Sequence, residues 1–266
     1  MSVGPAIAFL RLPPLQPVTT TPRLAALEAR IELLAGRSPT FVSTFGLELR
    51  AATVMAMGAE PSARLALQRL LSRPAAEAIL LHAWPQLMRP ELDLESMQKI
   101  ASGLAAKPLT IAKGRMRTTA GRNGEFTVYA PPEQRNELSG CLTEARAAAI
   151  DHPLASALVV FALTILAHPL TDGNGRLARA LVHGTLAQGG LVRAPVIPLA
   201  PAFYASADVV RTALKELSRT GDWFTAIESL SEILSLACAL AEMTEKLVSS
   251  VQAHSARNEH AAAETR

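Results

Sequence analysis

Apolar residues recur at a helical spacing along most of this chain. The first clear segment lies between Thr21-Pro22 and Gly36. Its apolar positions fall on one helical face: Leu24, Leu27, Ile31 and Leu34. Because threonine caps helix starts, proline fits the first turn and glycine ends helices, the pattern predicts a helix over 22–36. The proline-rich residues 1–20 are predicted to form an extended strap on the protein body.

The same spacing predicts a series of further helices. They are expected at 40–57, from Pro61, from Pro74 to about Leu81, and at 94–102, 131–150, 153–167, 175–189, 208–219 and 222–250. Asp93 is placed to cap the 94–102 helix, which Gly103 is expected to close. The 153–167 segment is apolar on nearly all sides, as is typical of a helix buried at the centre of a bundle. The polar tail from His254 is predicted to fray.

One part of the chain has a different pattern. Short alternating runs flank Asn123-Gly124, a turn signal that predicts a β-hairpin of 115–119 with 125–129. No acidic residue lies between Glu95 and Glu125. Basic residues gather in and before the hairpin: Lys99, Lys107, Lys113, Arg115, Arg117 and Arg122. This stretch is interpreted either as a solvated basic loop or as a cover over a bound phosphate.

Composition limits the class of protein. Aromatic residues make up 4% of the 266-residue chain and apolar residues 49%, which favours a helical globular fold over a sandwich or barrel. The two cysteines, Cys141 and Cys238, exclude a disulfide framework and a cysteine-rich zinc site. A net charge of +3 is too weak to indicate nucleic-acid binding by itself.

Hydrophobic runs give expectations about cellular location. The first residues lack a charged start followed by a long apolar stretch, so no signal peptide is predicted. The longest uncharged apolar run, Leu154–Ala167, is shorter than the roughly 20 residues of a membrane-spanning helix. We therefore expect a cytoplasmic protein without a membrane partner.

The chemically informative stretch runs from His168 to Arg176 and reads His-Pro-Leu-Thr-Asp-Gly-Asn-Gly-Arg, with Arg179 following. Pro169 is expected to end the buried helix at His168, and a new helix starts after the two glycines. Backbone amides at that start, together with the helix dipole, form a site suited to an anion such as phosphate. Arg176 and Arg179 lie three residues apart and can reach the same anion.

Two further side chains add chemistry to this turn. Asp172 is placed at its mouth, where a carboxylate can hold Mg²⁺ that bridges phosphates. His168 is close by and can take a proton from an incoming hydroxyl group. Each residue alone has an ordinary structural explanation, but the whole set within one short stretch indicates phosphate chemistry.

This stretch resembles the motif of the Fic (Fido) family, HPFx(D/E)GNGR with a second arginine three residues on. Leu170 stands where the family usually has phenylalanine, and it is expected to pack in the same core position. Other segments are similar to parts of the family: Gly114–Arg117 and Thr127–Pro132 to its flap hairpin and the next helix, 154–167 to the helix before the motif, and Asp222-Trp223 to its closing segment.

The resemblance implies an all-α, Fic-like helical bundle with a small β-hairpin flap. It covers about 100–235 well and 10–60 loosely. We divide the chain accordingly into a helical N-terminal extension (1–105), a catalytic core (106–235) and a C-terminal helix with its tail (236–266).

The activity implied by the resemblance is that of a protein adenylyltransferase, which transfers AMP from ATP to a Tyr, Thr or Ser hydroxyl of a target protein. His168 would be the general base, and Asp172 would hold Mg²⁺ against the α- and β-phosphates. The remaining phosphate contacts would come from Gly173, Asn174 and Gly175, with Asn174 on the α-phosphate, and from Arg176 and Arg179 on the β- and γ-phosphates. The flap, with Arg117 and Tyr129, would align the target by strand pairing.

Two alternatives remain. The same fold can remove AMP, or transfer UMP or another phosphate-linked group, and the motif does not separate these activities. A non-catalytic interaction or DNA-associated module is the other alternative, with the basic 99–122 stretch in its favour. The complete set of motif residues argues against that module, so nucleic acid is not the expected partner. The sequence leaves a regulatory partner or a homodimer open.

Many Fic proteins carry an inhibitory helix, (S/T)xxxE(G/N), whose glutamate pairs with the second arginine. Thr44–Glu48 fits the first part of this motif, but Leu49 replaces the glycine or asparagine. In the competing placement the inhibitory position falls on Ala56 and the glutamate is lost. If Glu48 pairs with Arg179, Glu48→Gly should raise self-adenylylation, and unchanged self-adenylylation would contradict the pairing.

Overall fold

The computed structural model describes residues 7–17, 19–36, 83–114, 116 and 126–264. Residues 83–87 are helical. The other elements follow in chain order: β1 (Ile7–Phe9), α1 (Pro22–Gly36), α2 (Leu94–Ala105), β2 (Phe126–Val128), α3 (Pro132–Ala147) with a 3₁₀ turn (Ala148–Ile150), α4 (Pro153–Ala167), α5 (Asn174–Gln188), α6 (Leu199–Ala205), α7 (Ala207–Thr220) and α8 (Trp223–Glu264). The predicted helices at 40–57, from Pro61 and from Pro74 lie outside the described residues.

Helix α4 forms the centre of the bundle. All its side chains from Leu154 to Ala167 are buried except that of Ile165. It packs against α3 and α5 and also contacts α1, α7 and α8. Because α4 is apolar on every side, neighbours on every side are needed to remove its surface from water. The predicted central helix and the all-α fold class are confirmed.

The N-terminal extension docks through α1. This helix begins as predicted, since the Leu24 N–H donates to Thr21 Oγ1 at 3.2 Å. Its apolar face is buried, and it packs on α8 and α4. The half-buried Arg30 and Glu242 form an ion pair at 2.6 Å, which fixes the register of α1 on α8.

The strap ahead of α1 forms a strand that was not predicted. β1 pairs in parallel with β2, with Ile7 opposite Phe126 and Phe9 opposite Val128. The rest of the strap lies extended on the body, where Trp223 Nε1 donates to the Pro14 carbonyl at 2.8 Å. Of the predicted hairpin, most of the 115–119 arm lies outside the described residues. One bond of that pairing is seen, because the Tyr129 N–H donates to the Met116 carbonyl at 2.9 Å.

Several helix ends differ from the prediction. Asp93 caps α2 as expected, accepting from the Ser96 N–H at 2.7 Å. The helix nevertheless runs through Gly103 to Ala105, and Ala106 closes it in a left-handed conformation. Helix α6 was missed, and α8 continues past His254 to Glu264, where the polar composition had suggested fraying.

A stretch of α8, Trp223–Lys246, is long and apolar enough to cross a membrane by length and composition. The run of 154–167 was therefore not the best candidate for a span. More than half of the most apolar window of α8 is buried in the protein. A core helix of a globular protein satisfies the same criteria, so this feature is weak support for a membrane span.

Gly184→Ala should destabilise the protein. An added Cβ at this position of α5 would overlap the backbone carbonyl of Leu87, which cannot rotate away. We expect the free energy of unfolding to fall by about 1–3 kcal/mol, as is usual for overpacking. Urea denaturation followed by circular dichroism measures the change.

Gly140→Ala is the matched control. It lies on an exposed position of α3, and nothing is within 4 Å of an added Cβ. Alanine has the higher helix propensity, so this variant should be slightly more stable than the wild type. A Gly184→Ala protein as stable as Gly140→Ala would contradict the close packing of α5 on Leu87.

Candidate active site

The turn between α4 and α5 begins at His168. Its backbone lies in the left-handed region, with φ of 46°. Its N–H still donates to the Thr164 carbonyl at 3.1 Å, so His168 closes the last turn of α4. Pro169 cannot continue the helix because it lacks an N–H and its ring clashes with the preceding turn. The left-handed conformation costs energy in a residue other than glycine, so surrounding contacts must hold it.

Asn174 holds the turn closed. Its side chain is 2% exposed. Its Oδ1 accepts from the Leu170 N–H at 2.9 Å, and its Nδ2 donates to the Leu170 carbonyl at 2.8 Å. Leu170 is itself fully buried, as expected for the position where the family usually has phenylalanine. Asn174 therefore shapes the turn. The contact with the α-phosphate that the resemblance implies stays a prediction.

The N-terminus of α5 opens at Gly173. This residue has φ of 80°, a backbone conformation that favours glycine, and an added Cβ would lie 2.8 Å from Leu109 Cδ1, at the flexible end of that side chain. The first intrahelical bond runs from the Leu177 N–H to the Gly173 carbonyl at 2.9 Å. The N–H groups of the turn before Leu177 have no intrahelical acceptor and carry the positive end of the helix dipole. This geometry suits an anion.

Two guanidinium groups flank the same turn. Arg176 Nη2 lies 3.7 Å from the Cβ position of Gly173, and Arg179 Nη1 lies 3.4 Å from that of Gly175. Arg179 also lies over the ring of Tyr204, 5.6 Å from its centroid. The structure therefore brings both predicted arginines to the two glycines that were predicted to cradle phosphate.

Asp172 is paired with a lysine that the sequence analysis had counted only as part of the basic stretch. Lys107 Nζ lies 2.8 Å from Asp172 Oδ2, and Arg176 lies 3.8 Å from the same oxygen. The hydrogen bond from Lys107 is the main reason why the pKa of Asp172 lies below its usual value. Both partners are about half exposed, and an exposed ion pair of this kind is worth at most about 1 kcal/mol. A divalent cation can therefore replace the lysine.

The carboxylate of Asp172 fits one mode of Mg²⁺ binding. Among the residues that the structure describes, no three His, Cys, Asp or Glu side chains form a cluster that could hold a metal ion. Mg²⁺ commonly binds through one or two carboxylates together with substrate phosphates and water. One ionised carboxylate beside an anion site fits that mode, in which the metal arrives with the nucleotide.

The imidazole of His168 is held against Tyr129. Their rings stack with centroids 3.7 Å apart and an interplanar angle of 17°. Nδ1 of His168 is buried and has no hydrogen-bond partner among the described residues. Burial lowers the pKa of His168 to about 4, so the ring is neutral at pH 7 and can accept a proton. Tyr129 thus packs on the candidate base, with 9% of its surface exposed.

A strand-like segment runs beside the turn and leads towards the flap. The Ala112 N–H donates to the Pro169 carbonyl at 2.9 Å, and the Thr171 N–H donates to the Thr110 carbonyl at 3.0 Å. Ile111 and Leu170 form an antiparallel bridge between these bonds. Backbone groups of residues 110–112 are therefore fixed next to His168.

Arg135, on α3, was missed by the sequence analysis. It is 2% exposed and donates to the carbonyl groups of Ala112, Gly114 and Ala167. The signal was present, because Arg135 lies three residues before Leu138 and so falls on the apolar face of its helix. An arginine on such a face must find partners in the interior.

The remaining predicted residues cannot be placed. Arg117, the two inhibitory candidates Glu48 and Ala56, and the hairpin turn lie outside the described residues. Those assignments stay predictions.

Comparison with known proteins supports the resemblance of the motif region to the Fic family. The model of the Fic/DOC family matches residues 91–186, which contain α2, α3, α4 and the turn. A segment of 103 residues is 31% identical to the protein adenylyltransferase fic-1 of Caenorhabditis elegans, and the relative from Caenorhabditis briggsae matches equally. That match covers 38% of this chain and only 20% of the length of either relative.

Solved structures share the fold. A Fic family protein from Desulfovibrio desulfuricans matches with a TM-score of 0.58 at 16% identity, over 89% of this chain and 77% of that one. A Fic domain-containing signaling protein from Bacteroides thetaiotaomicron matches with a TM-score of 0.53 at 17% identity, over 83% and 97%. At such identities the likeness concerns the fold alone. Residues 91–186 match the model of the Fic/DOC family and carry its motif, within a fold that this chain shares with these Fic proteins.

Proposed function

We propose that this protein is a nucleotidyltransferase that moves AMP from ATP to a hydroxyl group of a target protein. The observation that carries this proposal is the His168 imidazole, stacked on Tyr129 and placed on the same turn as a helix N-terminus flanked by two guanidinium groups. The imidazole can accept the proton of a hydroxyl group, and the helix end with its arginines can hold a triphosphate.

The reaction follows from these groups. His168 takes the proton of the acceptor hydroxyl as its oxygen attacks the α-phosphorus of ATP. The bond from the α-phosphorus to the bridging oxygen breaks, and pyrophosphate leaves with that electron pair. Arg176 and Arg179 stabilise the negative charge on the leaving group, and the amides of the first turn of α5 orient the phosphates. Mg²⁺ bound at Asp172 would supply further positive charge to the same phosphates.

The acceptor segment is proposed to pair with the chain that leads from Thr110 into the flap. Residues 110–112 already run antiparallel to the turn, so a strand added beyond them would bring a hydroxyl side chain towards His168. Strand addition supplies affinity through the main chain and leaves specificity to side-chain pockets. The alignment of the target by Arg117 and Tyr129 stays a prediction: Arg117 lies outside the described residues, and the Tyr129 ring packs on His168.

The choice of AMP among possible groups rests on the relatives. The curated relatives that match 38% of this chain carry the name protein adenylyltransferase. Removal of AMP, or transfer of another nucleotide, would use the same turn. The experiment must therefore separate these reactions by the label that is transferred.

His168→Ala should abolish nucleotidyl transfer. The purified protein is incubated with α-labelled ATP and Mg²⁺, alone and with a cell lysate, and labelled protein is counted. Because loss of a general base costs about 10²–10⁴-fold, labelling should fall close to background. Parallel incubations with α-labelled UTP, GTP and CTP show which nucleotide the protein uses.

His152→Ala is the control for that experiment. His152 lies at the other end of α4, where its ring bonds to Thr20 at 2.8 Å, far along the chain from the turn. Labelling should survive this change. Equal labelling by His168→Ala and wild type would refute the proposed base, and absence of label from every nucleotide would favour AMP removal or a non-catalytic module.

The labelling rate should stay nearly constant as pH is lowered. With its pKa held at about 4, His168 keeps its base form where an ordinary histidine, with a pKa of about 6.5, is protonated. Rates at saturating ATP are measured between about pH 7.5 and 5.5. A rate that halves near pH 6.5 would contradict a buried neutral base.

The stability of the fold must be measured over the same pH range, because unfolding would also lower the labelling rate. Burial also lowers the pKa of His183, to about 3. Between about pH 6.5 and 4 the unfolded chain binds more protons than the folded one, so stability is complete above this range and falls within it as pH decreases. The midpoint of denaturant unfolding is therefore measured at each pH. A loss of labelling that coincides with a loss of stability comes from unfolding and not from protonation of His168.

Asp172→Asn should weaken the binding of Mg²⁺ without unfolding the turn. The amide keeps an oxygen to accept from the Gly173 N–H, which lies 2.6 Å from Asp172 Oδ1. A neutral ligand binds Mg²⁺ poorly, so the half-saturating Mg²⁺ concentration for labelling should rise by about tenfold or more. Asp151→Asn, on the exposed connection before α4, is the control. An unchanged Mg²⁺ titration of Asp172→Asn would exclude Asp172 as the ligand.

A further inference from the structure

Arg135 is a buried cation whose partners are backbone carbonyl groups. Nε donates to the Ala167 carbonyl at 3.3 Å, Nη2 to that of Gly114 at 3.0 Å, and Nη1 to that of Ala112. No carboxylate pairs with it in the described part of the chain. Burial of an unpaired charge is costly, and it lowers the pKa of Arg135. The dipoles of these three carbonyl groups, of which that of Ala167 lies at the negative end of α4, offset that cost.

The three carbonyl groups come from the two segments that meet at the site. Ala167 immediately precedes His168, the candidate base. Ala112 and Gly114 belong to the segment that leads into the flap, and the Ala112 N–H bonds to the Pro169 carbonyl. One rigid guanidinium therefore sets the distance between the end of α4 and the start of the flap.

Neighbouring backbone bonds extend this connection to the residue that stacks on His168. The Ala130 N–H donates to the Leu166 carbonyl at 3.1 Å, and the Tyr129 N–H donates to that of Met116 at 2.9 Å. A shift of the 112–116 segment would therefore move Tyr129 relative to the imidazole. Arg135 has no contact with the glycines or arginines that flank the anion site.

We propose that Arg135 is a positioning residue for the transfer reaction, which holds His168 in register with the flap segment that presents the acceptor hydroxyl. This inference rests on the proposed function. It assigns to Arg135 the alignment of base and acceptor, and leaves nucleotide binding to the N-terminus of α5.

The chain offers a matched control in Arg146. This arginine lies on the same helix, is fully buried, and donates to the carbonyls of Leu87 and Arg89 and to the hydroxyl of Thr185. It shares the burial and the carbonyl partners of Arg135 but contacts none of the segments at the turn. Lysine at either position keeps the charge and loses the planar fork of donors.

The test compares Arg135→Lys with Arg146→Lys in the full chain. Labelling by α-labelled ATP is measured over a range of ATP concentrations with Mg²⁺ and a fixed amount of lysate. For Arg135→Lys we expect kcat to fall by about tenfold or more, as for a displaced reacting group, with the KM for ATP changed by less than about threefold. Arg146→Lys should keep both constants, although its unfolding midpoint falls.

A second readout does not depend on activity. The stacked Tyr129 ring shifts the NMR signal of the His168 imidazole, which is assigned by its loss in His168→Ala. Arg135→Lys should move this signal, and Arg146→Lys should leave it in place. The signal still tests the positioning if the transfer reaction itself proves wrong.

Two results would overturn the inference. One is a wild-type kcat for Arg135→Lys while His168→Ala is inactive. The other is an unmoved His168 signal in a folded Arg135→Lys protein. If Arg135→Lys does not fold, Arg135→Gln, which keeps amide donors without charge, takes its place with the same expected outcomes.

Discussion

The burial of α4 on all sides is the constraint on which the rest of the structure depends. A helix that is apolar around its whole circumference needs covering helices on every side, and α3, α5, α1, α7 and α8 supply them. Such a helix ends in the interior of the protein, where its last carbonyl groups and the turn that follows must find partners. The Arg135 side chain and the left-handed closure at His168 meet that need. The candidate site is therefore built on the end of the central helix.

The local charge around the end of α4 is more positive than the net charge of the chain suggests. The net charge is only +3. Around one turn, however, the structure gathers Lys107, Arg176 and Arg179 beside a helix N-terminus, with Asp172 as the acid in their midst. Triphosphate binding needs such local concentration of positive charge rather than a basic protein. Burial, and then the positive charge of Arg135, lower the pKa of His168 and so favour the neutral imidazole.

Rigidity at the turn comes from backbone partners rather than ion pairs. Asn174 bonds both backbone polar groups of Leu170, Gly173 adopts a positive φ that favours glycine, and the Tyr129 ring stacks on the imidazole. Exposed ion pairs such as Lys107–Asp172 are weak and can exchange with a metal or a phosphate. The turn thus combines a fixed candidate base and a candidate anion site with one ion pair that can exchange.

Residue spacing along the chain was enough to predict the local features: the helix starts at Thr21 and Asp93, the buried helix at 153–167, and the motif residues that lie consecutively on one turn. These follow from residue spacing and capping, which act between neighbours along the chain. The packing of the folded chain was needed to establish four contacts: β2 pairs with β1, Lys107 bonds to Asp172, Tyr129 stacks on His168, and Arg135 joins two segments. These contacts join residues far apart in the chain, and they exist only because the covering of α4 brings their segments to the same end of one helix.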